Sequence, residues 1–300
     1  MIGGLALCSF LSLAWFRSGN PAAGVEPVPA AAADARDDAR DDADREIFRA
    51  RMAWAKSERL DTLPLGEIAA RLGRTFVGTT YTPNTLDVDG TEHLVINLRE
   101  LDCVTFVENM LAMARMVEAG SNDFDAYRAE LTRIRYRGGV LDGYPSRLHY
   151  FSDWIFDNQA KGVVRDVTRT LGGVQDTEKV DFMSTHPASY RQLADPANLA
   201  AIRRTEQTIN GRARYYIPED RIAEAASGIK NGDVIAATST VKGLDVAHTG
   251  LALWVNGKLH LLHAPLVGKS VEISELPIAE RIRGIKGQDG IMVARPVGRK

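Results

Sequence analysis

The sequence predicts an α+β fold in which N-terminal helices precede an antiparallel sheet and a cysteine at a helix N-terminus packs on that sheet. Three observations carry this expectation. Val104, Val107, Met110, Leu111, Ala114 and Val117 recur at intervals of three and four, which is one face of a helix. Four strand-like runs cluster late, "GDVIAAT", "AHTGLALWV", "KLHLLHA" and "GIMVARPV". Asn256-Gly257 lies between the second and third, and Asn-Gly is the strongest short signal for a two-residue type I′ hairpin. Helices early and strands late argue for α+β over an alternating α/β order.

The elements follow in order. Residues 2–16 ("IGGLALCSFLSLAWF") hold no charge but are short for a membrane span, which needs roughly 20 apolar residues. They fit the apolar region of a secretory signal, so residues 1–33 are expected to be a signal peptide or a membrane anchor. Residues 34–46 ("DARDDARDDADRE") lack aromatic and branched apolar side chains and read as a charged linker or a marginal helix. The folded body then runs from 47 to 300. Helices are expected over 47–60 and from about 64 to 73, and a short strand over 93–98 ("HLVINL"). The helix opening at Cys103 stops near Gly120, and another covers 123–134. Residues 135–156 are dense in aromatic and polar groups, a composition suited to a cleft wall.

Composition excludes several functions. The chain has 300 residues, 37 Lys+Arg against 39 Asp+Glu and a net charge of −2, which gives no basic surface for nucleic acid. Two cysteines cannot build a disulfide framework, and no clustered Cys/His spacing suggests structural zinc. The "HLLH" pair would hold a metal only on a helix; on a strand it splits across two faces, so no metal or other cofactor is expected.

The hairpin supplies a register. With Asn256-Gly257 as the turn, Val255 opposes Lys258, Leu253 opposes His260 and Gly250 opposes His263. His248, Gly250, Ala252 and Trp254 then share a face with His263, while His260 lies on the other. His263 is a diagonal neighbour of His248, within reach of a ring-to-ring hydrogen bond. The small residues Gly250 and Ala252 would let another element pack closely, and the Cys103 helix is expected there. Asp102 is a good N-cap, which puts Cys103 at the first helical position. Free N–H groups and a partial positive charge at a helix N-terminus favour thiolate. An imidazole can take the thiol proton and return it to a leaving amine, and a second polar group fixes its tautomer. Buried packing remains the alternative for a cysteine that opens an amphipathic helix, as does a merely structural role for a strand histidine.

The segments "LDCVTFVENMLA", "RYRGGVLDGYPSRLHYFSDWI", "YYIPEDRI", "NGDVIAAT", "AHTGLAL" and "LLHAP" together resemble the DUF1460 family, a branch of the NlpC/P60 superfamily of papain-like cell-wall hydrolases. The likeness spans about residues 63–297, and the run from Tyr144 to Tyr150 narrows it to this branch. The resemblance implies a papain-like NlpC/P60 core and cysteine amidase activity on the bond between N-acetylmuramic acid and L-alanine in peptidoglycan or muropeptides. By motif position Cys103 matches the nucleophile, His248 the base and His263 the third residue. Tyr81 matches a tyrosine beside the nucleophile, although Thr80, Pro83 and Asn84 depart from the expected small or proline residues. The span between Cys103 and His248 is long, which implies an insert at about 120–227 that walls the cleft. Such an enzyme would work in the periplasm or elsewhere outside the cytoplasm, touching a membrane only through an N-terminal anchor.

Tyr144, Arg147, His149 and Tyr150 are candidate substrate-binding residues. Arg147 is the only fixed charge in its run and could grip a stem-peptide carboxylate, or else pair with Asp142 or Asp153. Tyr150 and Trp154 could equally belong to the core. Other functions stay open: a γ-D-glutamyl endopeptidase, an acyltransferase or general peptidase on the same fold, or a non-catalytic binder of cell-wall fragments.

Overall fold

A computed structural model describes residues 30–298 of the chain, with side chains from residue 41. The nine helices of these residues are α1 (Ala30–Ser57), α2 (Leu65–Arg74), α3 (Cys103–Glu118), α4 (Phe124–Arg135), α5 (Phe151–Ala160), α6 (Phe182–Thr185), α7 (Pro196–Asn210), α8 (Ile222–Ala225) and α9 (Ile278–Gly284). The strands are β1 (Thr80–Tyr81), β2 (Glu100–Leu101), β3 (Val164–Asp166), β4 (Val174–Asp176), β5 (Arg214–Pro218), β6 (Val234–Ser239), β7 (Val246–Val255), β8 (Lys258–His263), β9 (Glu272–Ile273) and β10 (Gln288–Pro296). The α+β class is thus as the sequence predicts. The apolar N-terminal segment lies outside the described residues, among which no helix is long and apolar enough to cross a membrane.

The eight-stranded main sheet has the order β4-β5-β10-β6-β7-β8-β9, and β3 also pairs with β10. Every pairing in it is antiparallel. Strand alternation gives the sheet two covered faces. Leu251, Leu253 and Leu262 join the core formed with Ile68, Leu72, Phe106 and Val107 of α2 and α3. Ala252, Leu259 and Leu261 face the other way, against Ile278 and Ile282 of α9. The β7–β8 register is the expected one, with Val255 opposite Lys258 and Leu253 opposite His260. Asn256 and Gly257 both take positive φ, 49° and 75°, as a type I′ turn requires.

Two expectations need correction. Residues 93–98 form no strand. Their backbone groups go to side chains instead of a ladder: Leu98 N–H donates to Asp44 (2.8 Å), Arg135 donates to the Val95 carbonyl (2.5 Å) and the Tyr136 hydroxyl to that of His93 (3.1 Å). The partner carboxylate comes from the charged run 34–46, which is helical as part of α1, and Asp44 within it is fully buried. The second correction concerns the face met by α3. The helix covers the Leu251 and Leu253 side of β7, and α9 covers the side of Ala252. Gly250 is needed for a different reason: a Cβ there would stand 2.9 Å from the His263 Cβ and 2.8 Å from the Leu262 carbonyl. Its missing side chain makes room for an imidazole and the neighbouring strand.

Candidate active site

Residues 102–105 fix the mouth of α3. Asp102 is extended (φ −97°, ψ −177°) and its Oδ1 accepts from the Thr105 N–H at 2.7 Å, while the Asp102 N–H donates to the Thr105 hydroxyl at 2.9 Å. This is a reciprocal capping box with threonine in the place more often held by Glu or Gln. Cys103 is the first helical residue and fully buried. Two buried ion pairs hold the helix in place: Glu108 with Arg135 at 2.7 Å, and Arg115 with Glu130. Burial pushes the Glu108 carboxyl up, and Arg135 pulls the other way.

The two predicted histidines meet. His248 Nε2 lies 2.7 Å from His263 Nδ1, with the rings nearly perpendicular at 89°. Both are buried, and burial is the main cause that holds them well below the usual imidazole range; His263 and then the positive charge of Arg281 add to it at His248, and Arg281 adds to it at His263. They are therefore neutral in the resting fold at neutral pH. His260 sits apart, its Nδ1 2.7 Å from the Ser274 carbonyl.

Thr249 joins the two halves. Its hydroxyl donates to the Cys103 carbonyl at 2.8 Å, so the helix mouth touches β7 one residue from His248. β7 begins at Val246 and β8 ends at His263, which puts these groups at one end of the sheet. Sequence reasoning missed Thr249. Its position beside a candidate base was the available signal, but only the fold shows that it reaches the cysteine.

The remaining candidates divide. Tyr81 is buried and pairs in register with Leu101, two residues before Cys103. Tyr144, Arg147 and His149 line a pocket that also exposes Asp102, Val104 and Glu108 beside the cysteine. Tyr190, between α6 and α7, lines the same pocket; nothing in the sequence signals it. The Arg147 guanidinium donates to the Leu86 carbonyl at 2.9 Å and to Asp87 at 2.7 Å, with Glu92 at 3.6 Å. Its partners lie on the loop before α3, whereas Asp153 is taken by Arg137 and Arg212. His149 Nε2 is 2.9 Å from the Tyr144 carbonyl; burial and Arg147 hold its ring neutral. Tyr150 is turned away from the pocket: its hydroxyl donates to Glu206 at 2.7 Å and accepts from the Met183 N–H at 2.8 Å. No group of three or more His, Cys, Asp or Glu suited to a metal ion occurs among the described residues.

The chain is similar over most of its length to solved structures. An N-acetylmuramoyl-L-alanine amidase from Bacteroides uniformis shares 37% identity over 78% of this chain and 99% of its own, with a TM-score of 0.74. A Bacteroides fragilis protein with a xylanase designation shares 40% over 74% and 98%, with a TM-score of 0.71. A Legionella pneumophila protein of the DUF1460 family model, 19% identical over 89% and 97% (TM-score 0.64), supports the fold alone. A comparison with functionally curated proteins returns no match. The model of the AmiA-like family, described as N-acetylmuramoyl-L-alanine amidase-like, matches residues 71–291, and the chain belongs to that family of cell-wall amidase-like proteins.

Proposed function

We propose that the protein is a cysteine amidase cleaving the bond between N-acetylmuramic acid and L-alanine in peptidoglycan or its fragments, on a papain-like NlpC/P60 core. The observation that carries the reading is the Thr249 hydrogen bond to the Cys103 carbonyl, which brings the helix mouth to the strand bearing the buried imidazole pair. With His248 Nε2 engaged by His263, Nδ1 is the nitrogen that takes the thiol proton. The resulting thiolate attacks the lactyl carbonyl carbon. Backbone N–H groups at the start of α3 stabilise the oxyanion. The carbon–nitrogen bond breaks as the imidazolium protonates the alanine amine, and the peptide leaves. Water, deprotonated by His248, then hydrolyses the thioester and restores the thiol.

Tyr81, Tyr144 and His149 face or flank the substrate in this reading. Arg147 shapes the pocket wall through Asp87 and Leu86, and Tyr150 supports it from behind. A glycosidase would need two carboxylates placed across a cleft. The pocket carboxylates here are otherwise engaged, Asp102 in the helix cap, Glu108 with Arg135 and Trp154, and Asp87 with Arg147. A peptidoglycan substrate implies action outside the cytoplasm, consistent with a signal in residues 1–33.

The test is mass spectrometry of a defined muropeptide incubated with the enzyme. Disaccharide plus intact stem peptide is expected. Disaccharide-dipeptide plus a shorter peptide would instead mean γ-D-glutamyl endopeptidase activity. Cys103→Ala and Cys103→Ser should both abolish turnover while shifting stability within the usual ~0.5–3 kcal/mol of single substitutions. Wild-type turnover by Cys103→Ala would remove the cysteine from the mechanism.

A further inference from the structure

His263 has one nitrogen explained and one not. Nδ1 meets His248, whereas Nε2 is buried without a hydrogen-bond partner. Glu272 Oε1 lies 4.0 Å from it. Glu272 stands directly opposite His263 in the β8–β9 ladder, so the two side chains rise from the same face of the sheet. Its carboxylate is half exposed, and β9 is the last strand of the sheet order.

The 2.7 Å contact between the rings needs one proton, and two arrangements supply it. In one, His248 Nε2–H donates to His263 Nδ1. His248 Nδ1 is then bare and can accept the thiol proton, and His263 must carry its own proton on Nε2. In the other, His263 Nδ1–H donates to His248 Nε2. His248 then carries its proton on Nδ1 and cannot act as the base. A negative acceptor facing His263 Nε2 selects the first arrangement. We propose that Glu272 is a positioning residue for the reaction, setting the tautomers of both histidines from the edge of the sheet through the last half-ångström to one ångström of approach, or through one water. The proposal rests on the amidase reading above for its kinetic arm only.

Arg281, on α9, is the other charge facing this pair. It disfavours imidazolium at both rings, with burial the larger cause, and Glu272 is the opposite charge on Arg281 itself. Glu272 thus also offsets Arg281 when His248 becomes charged during acylation.

The experiment combines 15N–1H NMR of the histidine ring nitrogens with kinetics for Glu272→Ala and Glu272→Gln, each checked by thermal melting. In wild type, His248 and His263 should both be protonated on Nε2 and bare on Nδ1. Glu272→Ala should lose that fixed tautomer at His263 and lower kcat about tenfold or more with KM within about twofold. Glu272→Gln, which keeps an acceptor oxygen, should retain the tautomer and recover most of kcat, with the acid limb of kcat/KM shifted to lower pH. Unchanged tautomers and kcat in a folded Glu272→Ala protein would overturn the proposal, as would a wild-type His263 protonated on Nδ1. A wild-type protein with the expected tautomers and no muropeptide hydrolysis would overturn the amidase reading and leave the tautomer assignment standing.

Discussion

Thr249→Val isolates the link between the proposed nucleophile, Cys103, and the strand of the proposed base, His248. Valine keeps the volume and removes the hydroxyl that donates to the Cys103 carbonyl at 2.8 Å. That carbonyl still accepts the ordinary helical bond from four residues on, so it is not left bare. The stability cost is that of one neutral hydrogen bond, about 1 kcal/mol. In a domain of this size that lowers Tm by about 2–4 °C. A stability reserve of roughly 5–15 kcal/mol keeps almost all molecules folded. Activity should fall much further, because a misplacement of about 1 Å in the reacting groups can cost ~100-fold. We expect kcat/KM on a muropeptide to drop at least tenfold, and Thr249→Ser, which restores the hydroxyl, to recover most of it. The assay is steady-state release of stem peptide beside a thermal melt. A Thr249→Val enzyme with lowered Tm and wild-type kcat/KM would refute the argument that this bond aligns the site.

The two histidines of the "HLLH" run should separate cleanly. His263→Ala should lower kcat through loss of the His248 contact, whereas His260→Ala, which forfeits one bond near the Ser274 carbonyl, should cost about 1 kcal/mol of stability and little activity; equal losses would undo the hairpin argument. Arg147→Lys cannot reproduce the fork on Leu86 and Asp87 and leaves Glu92 poorly paired, so Tm should fall by the equivalent of about 3 kcal/mol and KM should rise. Unchanged Tm, with a KM defect that vanishes on a carboxylate-amidated substrate, would put Arg147 on the substrate instead. Burial holds His149, His248 and His263 below the unfolded value near 6.5, so the unfolded chain binds more protons between those limits. Their contribution is fully present above about pH 6.5 and is lost as pH falls, by up to about 1.4 kcal/mol per unit for each. Glu108 and Asp245, raised by burial, act in the opposite sense, so the check is a difference: His149→Gln should flatten the acid loss of stability by about that amount per unit, and an unchanged slope in urea titrations would contradict it.

What was legible in the sequence was local. The Asp102 cap, the helix from Cys103 and the Asn256-Gly257 register depend on residues a few positions apart, and all three stand in the structure. The His248–His263 contact follows from that register. What was not legible depends on distant partners. Residues 93–98 alternate like a strand, yet their bonds go to Asp44, Arg135 and Tyr136, which no local pattern reveals. The same holds for Arg147, whose acidic partners lie some sixty residues upstream, outside the run that drew notice to it. The face chosen by α3 was also misjudged. Small residues at Gly250 and Ala252 suggested a close helix contact, but at Gly250 the space is filled by the next strand and its histidine.

The hairpin also bears on how activity arises as the chain folds. Only 15 residues separate His248 from His263, across a two-residue turn, whereas 146 separate Thr249 from Cys103. Hairpins close in about 1–10 μs, while contacts across long stretches of chain wait on the slower search set by topology. The His248–His263 pair, proposed to transfer the proton, can therefore form within its own local unit before the Cys103 helix docks. On the proposed mechanism, a part-folded chain would then carry its base without a nucleophile to serve, and the reactive combination would come into being only with the long-range contacts.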